Sequence, residues 1–280
     1  VSRIKVVNTK KFKVITKSCN KTDKNDSYVL AEFLSKDILP LSRIKSERHE
    51  DIASIVETRD KLVGNRTRIK NKVSNILNRK GIKLPKASMN SNKQLDKIMG
   101  HDLNEIVKDE LAILIAEIKH LNEQVDKLDK IIQKHGENLP GFANLMTIKG
   151  LGTNSAVALL CNIGNVNDFS DIKKLSAYIG LVPWVSNSSE TVRHGSITKN
   201  GNPLVRKMLV NCAFVAVKYN PILSDFYRKL KATKGFGKAI VATARKLLAV
   251  VFATLTNGWY FEDFVANKKK VVAINWGAVF

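Results

Sequence analysis

The chain has 280 residues, of which 44% are hydrophobic, and its 47 Lys and Arg outnumber 25 Asp and Glu to give a formal charge of +22. This composition excludes a disordered chain. The charge predicts a polyanionic partner whose binding weakens as the salt concentration rises. A membrane is not expected as the partner, because the longest apolar run, residues 247–255, is far shorter than the roughly 20 residues that span a bilayer. No signal peptide is expected, and three cysteines and five histidines without metal-ligand spacing favour a cytoplasmic protein without zinc.

The first segment is basic and contains a short apolar run, residues 12–15, that predicts a strand. Asp23 and Asp26 follow at the start of a helical pattern, and their spacing of three puts both carboxylates on one side of the first turn. Such a pair suits a divalent cation. It equally suits helix capping and the helix dipole, and spacing alone favours that interpretation.

Two long helical patterns come next. Residues 47–79 combine an apolar stripe with basic outer faces, which favours contact with a nucleic-acid backbone. Residues 111–132 carry apolar positions at steps of three and four over about three heptads. This seam fits a coiled coil or one hairpin of a helical bundle, and we interpret it as an antiparallel helical pair that also helps subunits to associate.

A glycine-punctuated turn, Gly150-Leu151-Gly152, lies between two short helical patterns, as in a helix-hairpin-helix. In that motif the amides of the second helix face a nucleic-acid phosphate, so Lys149, Gly150 and Gly152 are candidate DNA contacts. An ordinary turn in a globular core is the alternative interpretation.

Residues 183–190 have the composition of a loop, since four of the eight are Ser or Asn. A serine hydroxyl here is a candidate nucleophile for a phosphodiester, although a solvated turn is the default. Cations that would stabilise the phosphoryl oxygens follow, namely Arg193, Lys199, Arg206 and Lys207. Further along, residues 228–246 carry seven Lys or Arg and no acid, with aromatic residues that suit base stacking or, more simply, a core.

Several ordered motifs together resemble one family. They are Gly-Leu-Gly at 150–152, Tyr-Ile-Gly-Leu-Val-Pro at 178–183, a serine segment, and Ile-Thr-Lys-Asn-Gly-Asn at 197–202. In this order the motifs resemble the transposase domain of the insertion sequence 110 and 1111 type. In that family a serine ahead of the Ile-Ser/Thr-Lys motif is the nucleophile, which falls on Ser188. The family usually has Gly next, where this chain has Ser189, so Ser189 is the second candidate.

The N-terminal region resembles the last motif of the family's DEDD nuclease domain, a RuvC-like member of the RNase H fold. The resemblance implies that Asp23 and Asp26 are two of four Mg²⁺ ligands. The family's first Asp and its Glu precede this motif, and residues 1–22 contain neither residue type. We therefore expect an N-terminally truncated chain whose ligand set is incomplete.

These observations predict a mainly α fold with a small α/β remnant. The expected domains are a RuvC-like remnant at 1–46, basic helices and a coiled-coil hairpin at 47–137, a serine transposase domain with a helix-hairpin-helix at 138–260, and a tail at 261–280. The expected function is that of a DNA transposase or recombinase. The alternatives are a non-catalytic nucleic-acid-binding protein and a metal-dependent junction nuclease. The resemblance also implies double-stranded DNA, a structured guide RNA and a homo-oligomer, dimer or tetramer, as partners in a bacterial, nucleoid-associated setting.

Overall fold

The computed structural model of the chain describes residues 4–9, 11–16, 22–85, 89–188 and 191–261, and only the backbone of residues 15–16, 186–188 and 191–194. The predicted tail lies almost wholly outside this part of the chain. The contacts divide the protein into two compact units, Val1–Glu47 and Arg48–Phe280. The described residues are mainly helical, as the apolar periodicity predicted.

The first unit contains helices α1, Lys13–Thr16, and α2, Asp23–Ser35. Phe12 is buried and packs edge-on against Phe33, with ring centroids 5.0 Å apart. The prediction of a strand at 12–15 is wrong, because α1 begins at Lys13. The amides of Lys11 and Phe12 bond the carbonyl of Asn8, which winds the chain into a helical turn, and the β-bridge of this unit joins Val7 to Leu41 instead.

The second unit begins with a long helical hairpin, made of α3, Glu47–Arg79, and α5, Glu105–Gly136, with the short α4, Asn92–Ile98, between them. Arg59 bonds Asp129, Arg66 bonds Asn122, and Lys72 bonds Glu110, so α3 and α5 run antiparallel. A separate apolar cluster closes the far end of the hairpin, where Val73 and Leu77 pack with Leu95. The structure thus has the antiparallel pair, and the association of subunits stays a prediction.

The near end of the hairpin joins the main core, which α7, α9 and α10 build. The elements of this region are α6, Phe142–Met146; α7, Thr153–Ile163; a 3-10 turn, Val166–Asp168; α8, Ile172–Ile179; α9, Pro203–Tyr219; and α10, Pro221–Asn257. Every residue of α7 from 156 to 163 is buried. Asn220 ends α9 and caps α10, its side chain accepting bonds from the amides of Ile222 and Leu223.

Residues 183–188, which the sequence predicted to be part of a loop, form one strand of a β-hairpin. Strands β1, Pro183–Ser188, and β2, Thr191–Ile197, pair antiparallel, with Val185 opposite His194 and Ser188 opposite Thr191. The loop prediction was wrong because it counted Ser and Asn and gave too little weight to the aromatic and β-branched residues, Trp184, Val185 and Val192, that favour extended backbone.

Helix α10 is interrupted at Gly235, whose φ of 76° and ψ of 171° are not helical. Among the described helices, α10 is also long and apolar enough to cross a membrane, but 61% of that apolar window is buried within the protein. The part of α10 after the break contributes Ala244, Leu247 and Val251 to the main core.

Candidate functional site

The two motifs at 178–183 and 197–202 are in contact with each other. Helix α8 ends at Gly180, whose φ is +81°, and the amides of Lys199 and Thr198 bond the carbonyls of Gly180 and Val182 at 3.2 and 2.9 Å. A Cβ on Gly180 would overlap the backbone of Asn200, and one on Gly201 would overlap the carbonyl oxygen of Tyr178. Both glycines are thus required by the close approach of two backbones. We call this unit, residues 178–182 and 198–201 with Arg206, the motif clamp.

Arg206 closes the motif clamp from α9. Its Nη1 donates to the carbonyl oxygens of Ile179, Asn200 and Gly201 at 3.0, 2.8 and 3.0 Å. Burial lowers the pKa of the Arg206 guanidinium below its ordinary value. Because one nitrogen of Arg206 is occupied by the protein's own backbone, its first role is to hold the clamp together. The DNA contact predicted for Arg206 stays a prediction.

The motif clamp presents Lys199 in an unusual conformation. Its φ is +55°, in the left-handed region that residues other than glycine rarely adopt, and its side chain is exposed. Such backbone strain persists where the surroundings fix it, and it clusters at functional sites. Here the hydrogen bonds of the motif clamp fix the segment that follows β2, and the side chain of Lys199 lies in solvent.

The Gly150 turn packs against α9. Gly150 has a φ of +110°, and a Cβ there would come within 2.8 Å of the backbone nitrogen of Ala216. Gly152 is the N-cap of α7 and has no side chain to accept bonds from the first amides of that helix. Gly150 therefore serves packing, and the side chain of Lys149 beside it is exposed.

A cleft of about 850 Å³ lies beside this turn, between α3, α5, α9 and the start of α7. Asp129 is its best-bonded group: Arg59 donates to it at 2.8 and 3.2 Å, and Asn154 Nδ2 donates at 2.8 Å. Lys207 forms an ion pair with Asp60. The lining holds three basic and three acidic side chains, and its ionic groups are Arg59, Lys130, Lys207, Asp60, Asp126 and Asp129. This cleft is therefore close to neutral in a strongly basic chain.

The buried thiol of Cys212 lies under the start of α7. Burial raises its pKa, and hydrogen bonds with Ser155 and with the backbone of Gly152 act in the opposite direction. Since desolvation is the largest of these effects, Cys212 stays protonated at neutral pH and packs as a core residue.

The structure places the backbone of the predicted nucleophile at the end of the β-hairpin. Ser188 is the last residue of β1, and Arg193 pairs with Ser186 two positions earlier. The side chains of Ser188 and Arg193, and all of Ser189, lie outside the described residues. Because β2 leads directly into the motif clamp, Ser188, Arg193 and Lys199 belong to one continuous element.

Asp23 and Asp26 occupy the first turn of α2, but they are not its cap. Thr22 is the N-cap and accepts a bond from the amide of Asn25 at 3.3 Å. Asp23 is exposed and Asp26 is half-buried. Their oxygens are the type that Mg²⁺ prefers, yet within the described ranges no cluster of three or more His, Cys, Asp or Glu is able to hold a metal. These two carboxylates do not make a metal site by themselves.

The sequence did not single out Asp129, Asp60 and Asn154, which line the cleft. Asp129 lies on the polar face of α5, where a carboxylate looks like an ordinary solvated charge. A signal was present, because aligning the apolar seams of α3 and α5 antiparallel brings Arg59 opposite Asp129. The structural role of Arg206 has no such signal in the sequence.

Comparison with known proteins gives two family matches. The sequence profile of the "Transposase IS116/IS110/IS902 family" matches residues 143–228, and a transposase profile of the IS110 DEDD type matches residues 1–81. The first match contains the Gly150 turn, the hairpin and the motif clamp. The second contains α2 with Asp23 and Asp26.

Curated relatives agree with these matches. The chain is 25% identical over 244 residues to the transposase for insertion sequence element IS1111A of Coxiella burnetii, covering 85% of this chain and 67% of the relative. It is 22% identical to the transposase for IS1328 of Yersinia enterocolitica, over 93% and 79% of the two chains. It is 24% identical to the pilin gene-inverting protein of Moraxella bovis, over 86% and 68%. Transposase domains of the IS110/IS116 type and relatives named as transposases thus cover most of the chain.

Proposed function

We propose that this protein is a DNA transposase or recombinase of a mobile insertion element, and that it cuts and rejoins double-stranded DNA through Ser188. The carrying observation is the continuous element of hairpin and motif clamp, which joins the backbone of Ser188 to a strained, exposed Lys199. Relatives named as transposases and as a gene-inverting protein support DNA rearrangement as the activity.

The chemistry consists of two balanced transesterifications. The Ser188 hydroxyl oxygen forms a bond to phosphorus, the bond from phosphorus to the leaving sugar oxygen breaks, and the serine proton ends on that sugar hydroxyl. A sugar hydroxyl of a second DNA end then attacks the phosphoserine and releases the serine. Each step replaces one phosphodiester by another, so no external energy source is required.

Charge stabilisation at the phosphoryl oxygens falls to Arg193, which lies on the strand paired with that of Ser188, and Lys199, beyond the other end of the hairpin, is assigned a contact with the DNA backbone. Arg206 acts by fixing the clamp from which Lys199 projects. Lys207 is paired with Asp60 in the cleft, so the contact with the DNA backbone that we assign to it requires this ion pair to open.

Finer features of the proposal follow the family resemblance. The region around α2 would be a RuvC-like fragment, and α6, the Gly150 turn and α7 would be a helix-hairpin-helix that binds phosphate. Guidance by a structured RNA, a dimeric or tetrameric assembly and a nucleoid-associated, cytoplasmic setting belong to the same proposal. A DEDD domain in general depends on divalent metal, but Asp23 and Asp26 alone do not complete a site, so no step is assigned to Mg²⁺.

The test is to trap the covalent intermediate. The protein is incubated with end-labelled DNA that carries a nick near the element end, so that the cleaved strand escapes and the adduct accumulates. We expect a labelled protein band on a denaturing gel for the wild type and for Ser189→Ala, and none for Ser188→Ala. DNA binding of Ser188→Ala should match that of the wild type.

The other outcomes separate the alternative functions. An adduct that persists in Ser188→Ala and disappears in Ser189→Ala would move the nucleophile by one residue. Metal-dependent cleavage that survives both substitutions would indicate the junction nuclease. Binding without any cleavage by the wild type would favour the non-catalytic nucleic-acid-binding protein.

A further inference from the structure

A second, separate surface lies around the break in α10. Every residue from 231 to 238 is exposed. This stretch and the residues just before it, 228–238, are here called the basic arm, and its cations are Arg228, Lys229, Lys231, Lys234 and Lys238. Arg228 forms an ion pair with Asp225, and Lys231 lies 5.9 Å from the ring centroid of Tyr227. Among the residues that the structure describes, no carboxylate pairs with Lys229, Lys234 or Lys238.

The break has its origin in Gly235 itself. Its φ of +76° with ψ of 171° is a backbone conformation that is essentially restricted to glycine. A Cβ at Gly235 would meet nothing within 4 Å, so packing does not require the glycine. The backbone angles of Gly235 therefore bend the basic arm, and there is free space around the bend.

The bend exposes an aromatic ring among these cations. Phe236 is 53% exposed, although one side of its ring stacks on Phe214 with centroids 5.3 Å apart and an angle of 29° between the planes. A ring that is held by a stacked neighbour and is open on its other side is a platform for a nucleobase, and lysines beside it suit the phosphates of the same strand.

We propose that the basic arm is a binding site for a nucleic-acid strand, in which Lys229, Lys234 and Lys238 contact phosphates and an unpaired base stacks on Phe236. The arm reaches beyond residue 228, where the family match ends, and its action does not depend on Ser188. A membrane surface fits less well, because the apolar face of α10 after the break is buried in the core. The charge alone does not distinguish a DNA strand from an RNA strand, so the experiment includes both.

The first measurement removes the charges. Fluorescence anisotropy of labelled single-stranded DNA, RNA of the same sequence and a duplex is measured at several salt concentrations for the full chain. We expect Lys229→Gln/Lys234→Gln/Lys238→Gln to bind single strands more weakly and to lower the slope of log K against log salt by about 0.7 per lost phosphate contact. The matched control, Lys93→Gln/Lys97→Gln/Lys127→Gln, removes the same charge from exposed positions on α4 and α5 and should leave the slope unchanged.

The second measurement removes the stacking platform while keeping an apolar side chain. Phe236→Leu should lower affinity for single strands roughly tenfold and leave duplex binding unchanged, and Phe236→Trp should restore it. A preference for RNA over DNA in the wild type, lost in both arm variants, would identify the strand as RNA, and the reverse would identify DNA.

The proposal is overturned if the arm triple variant behaves as its control, or if Phe236→Leu binds all three nucleic acids as the wild type does. Arm-dependent binding to phosphatidylglycerol vesicles without arm-dependent binding to nucleic acid would also overturn it. Because only binding is measured, loss of adduct formation in Ser188→Ala leaves this test unaffected.

Discussion

The motif clamp and the basic arm use the same residue types for opposite purposes. In the clamp, Arg206 donates to three backbone carbonyls, and its neighbour Lys207 pairs with Asp60. In the arm, the side chains of Lys229, Lys234 and Lys238 are exposed. The 47 Lys and Arg behind the formal charge of +22 thus include cations that hold the fold and cations that face solvent. Only the second kind is free to meet a polyanion without first losing a protein partner.

The glycines of the motif clamp and of the basic arm also differ in their surroundings. Gly180 and Gly201 leave room for the backbone of another segment, whereas Gly235 and Gly237 have nothing within 4 Å of a built Cβ. In the clamp a side chain would collide with its surroundings, and in the arm the only penalty comes from the backbone angles of Gly235. The difference gives four tests, which follow in order of expected effect.

The largest effect is expected at Gly180. Gly180→Ala places a Cβ on the backbone of Asn200 and also requires an alanine at a φ of +81°. Both terms act against folding, so we expect the free energy of unfolding to fall by more than about 3 kcal/mol. Urea unfolding followed by circular dichroism measures it. Gly237→Ala is the control, and a loss at Gly180 no larger than at Gly237 would contradict the clamp.

The second test removes the side chain that closes the clamp. Arg206→Ala leaves three carbonyl oxygens without their donor, and we expect a loss of about 2 kcal/mol in the same unfolding measurement. Arg206→Lys should recover less than half of it, because an ammonium group does not reproduce the planar donor geometry of guanidinium. Unchanged stability of Arg206→Ala would mean that Arg206 serves a ligand and not the fold.

The sequence predicted the parts of this fold whose signal is periodic. Apolar spacing located α3 and α5, since burial of one helix face imposes that spacing over many turns. It failed for segments of a few residues: the run at 12–15 forms a helical turn, and the serine segment forms a hairpin. In such short segments the contacts made elsewhere decide the structure, and composition does not contain them.

The candidate site was likewise predicted only in part. Motif order predicted that the segments at 178–183 and 197–202 belong to one functional region, and the structure brings their backbones into contact. The sequence could not predict the roles of single cations, because only the fold shows that Arg206 donates to three backbone carbonyls while Lys199 is exposed. The assignments of Ser188, Asp23 and Asp26, and the division into four domains, stay predictions.

The third test addresses the bend of the basic arm. Gly235→Ala places a Cβ where there is space but at a φ of +76°, so we expect a loss of about 1–2 kcal/mol from backbone strain alone. Gly237→Ala, two residues away in the same open surroundings, should be neutral or gain up to about 1 kcal/mol, since alanine favours a helix over glycine. Equal stability of the two variants would show that the bend at Gly235 is not required by the folded protein.

The smallest effect is expected at the start of the clamped helix α8. Asp171 caps it, with Oδ1 accepting from the amide of Lys174 at 2.8 Å, and this bond lowers the pKa of Asp171 below its ordinary value of 3.8. Asp171→Ala should cost about 1 kcal/mol at neutral pH, whereas Asp171→Asn keeps an oxygen acceptor and should cost less.

The pH dependence of that cost follows from the direction of the shift. A carboxyl whose pKa is lower in the folded than in the unfolded protein contributes its charge-dependent stability above the unfolded value and loses it as pH falls through the folded value. The stability difference between wild type and Asp171→Asn should therefore change in favour of the Asn variant as the pH is lowered through this acid range. Urea unfolding of both proteins at a series of pH values measures the change. A difference that stays constant with pH would show that the cap acts through its hydrogen bond to Lys174 and does not depend on the charge of Asp171.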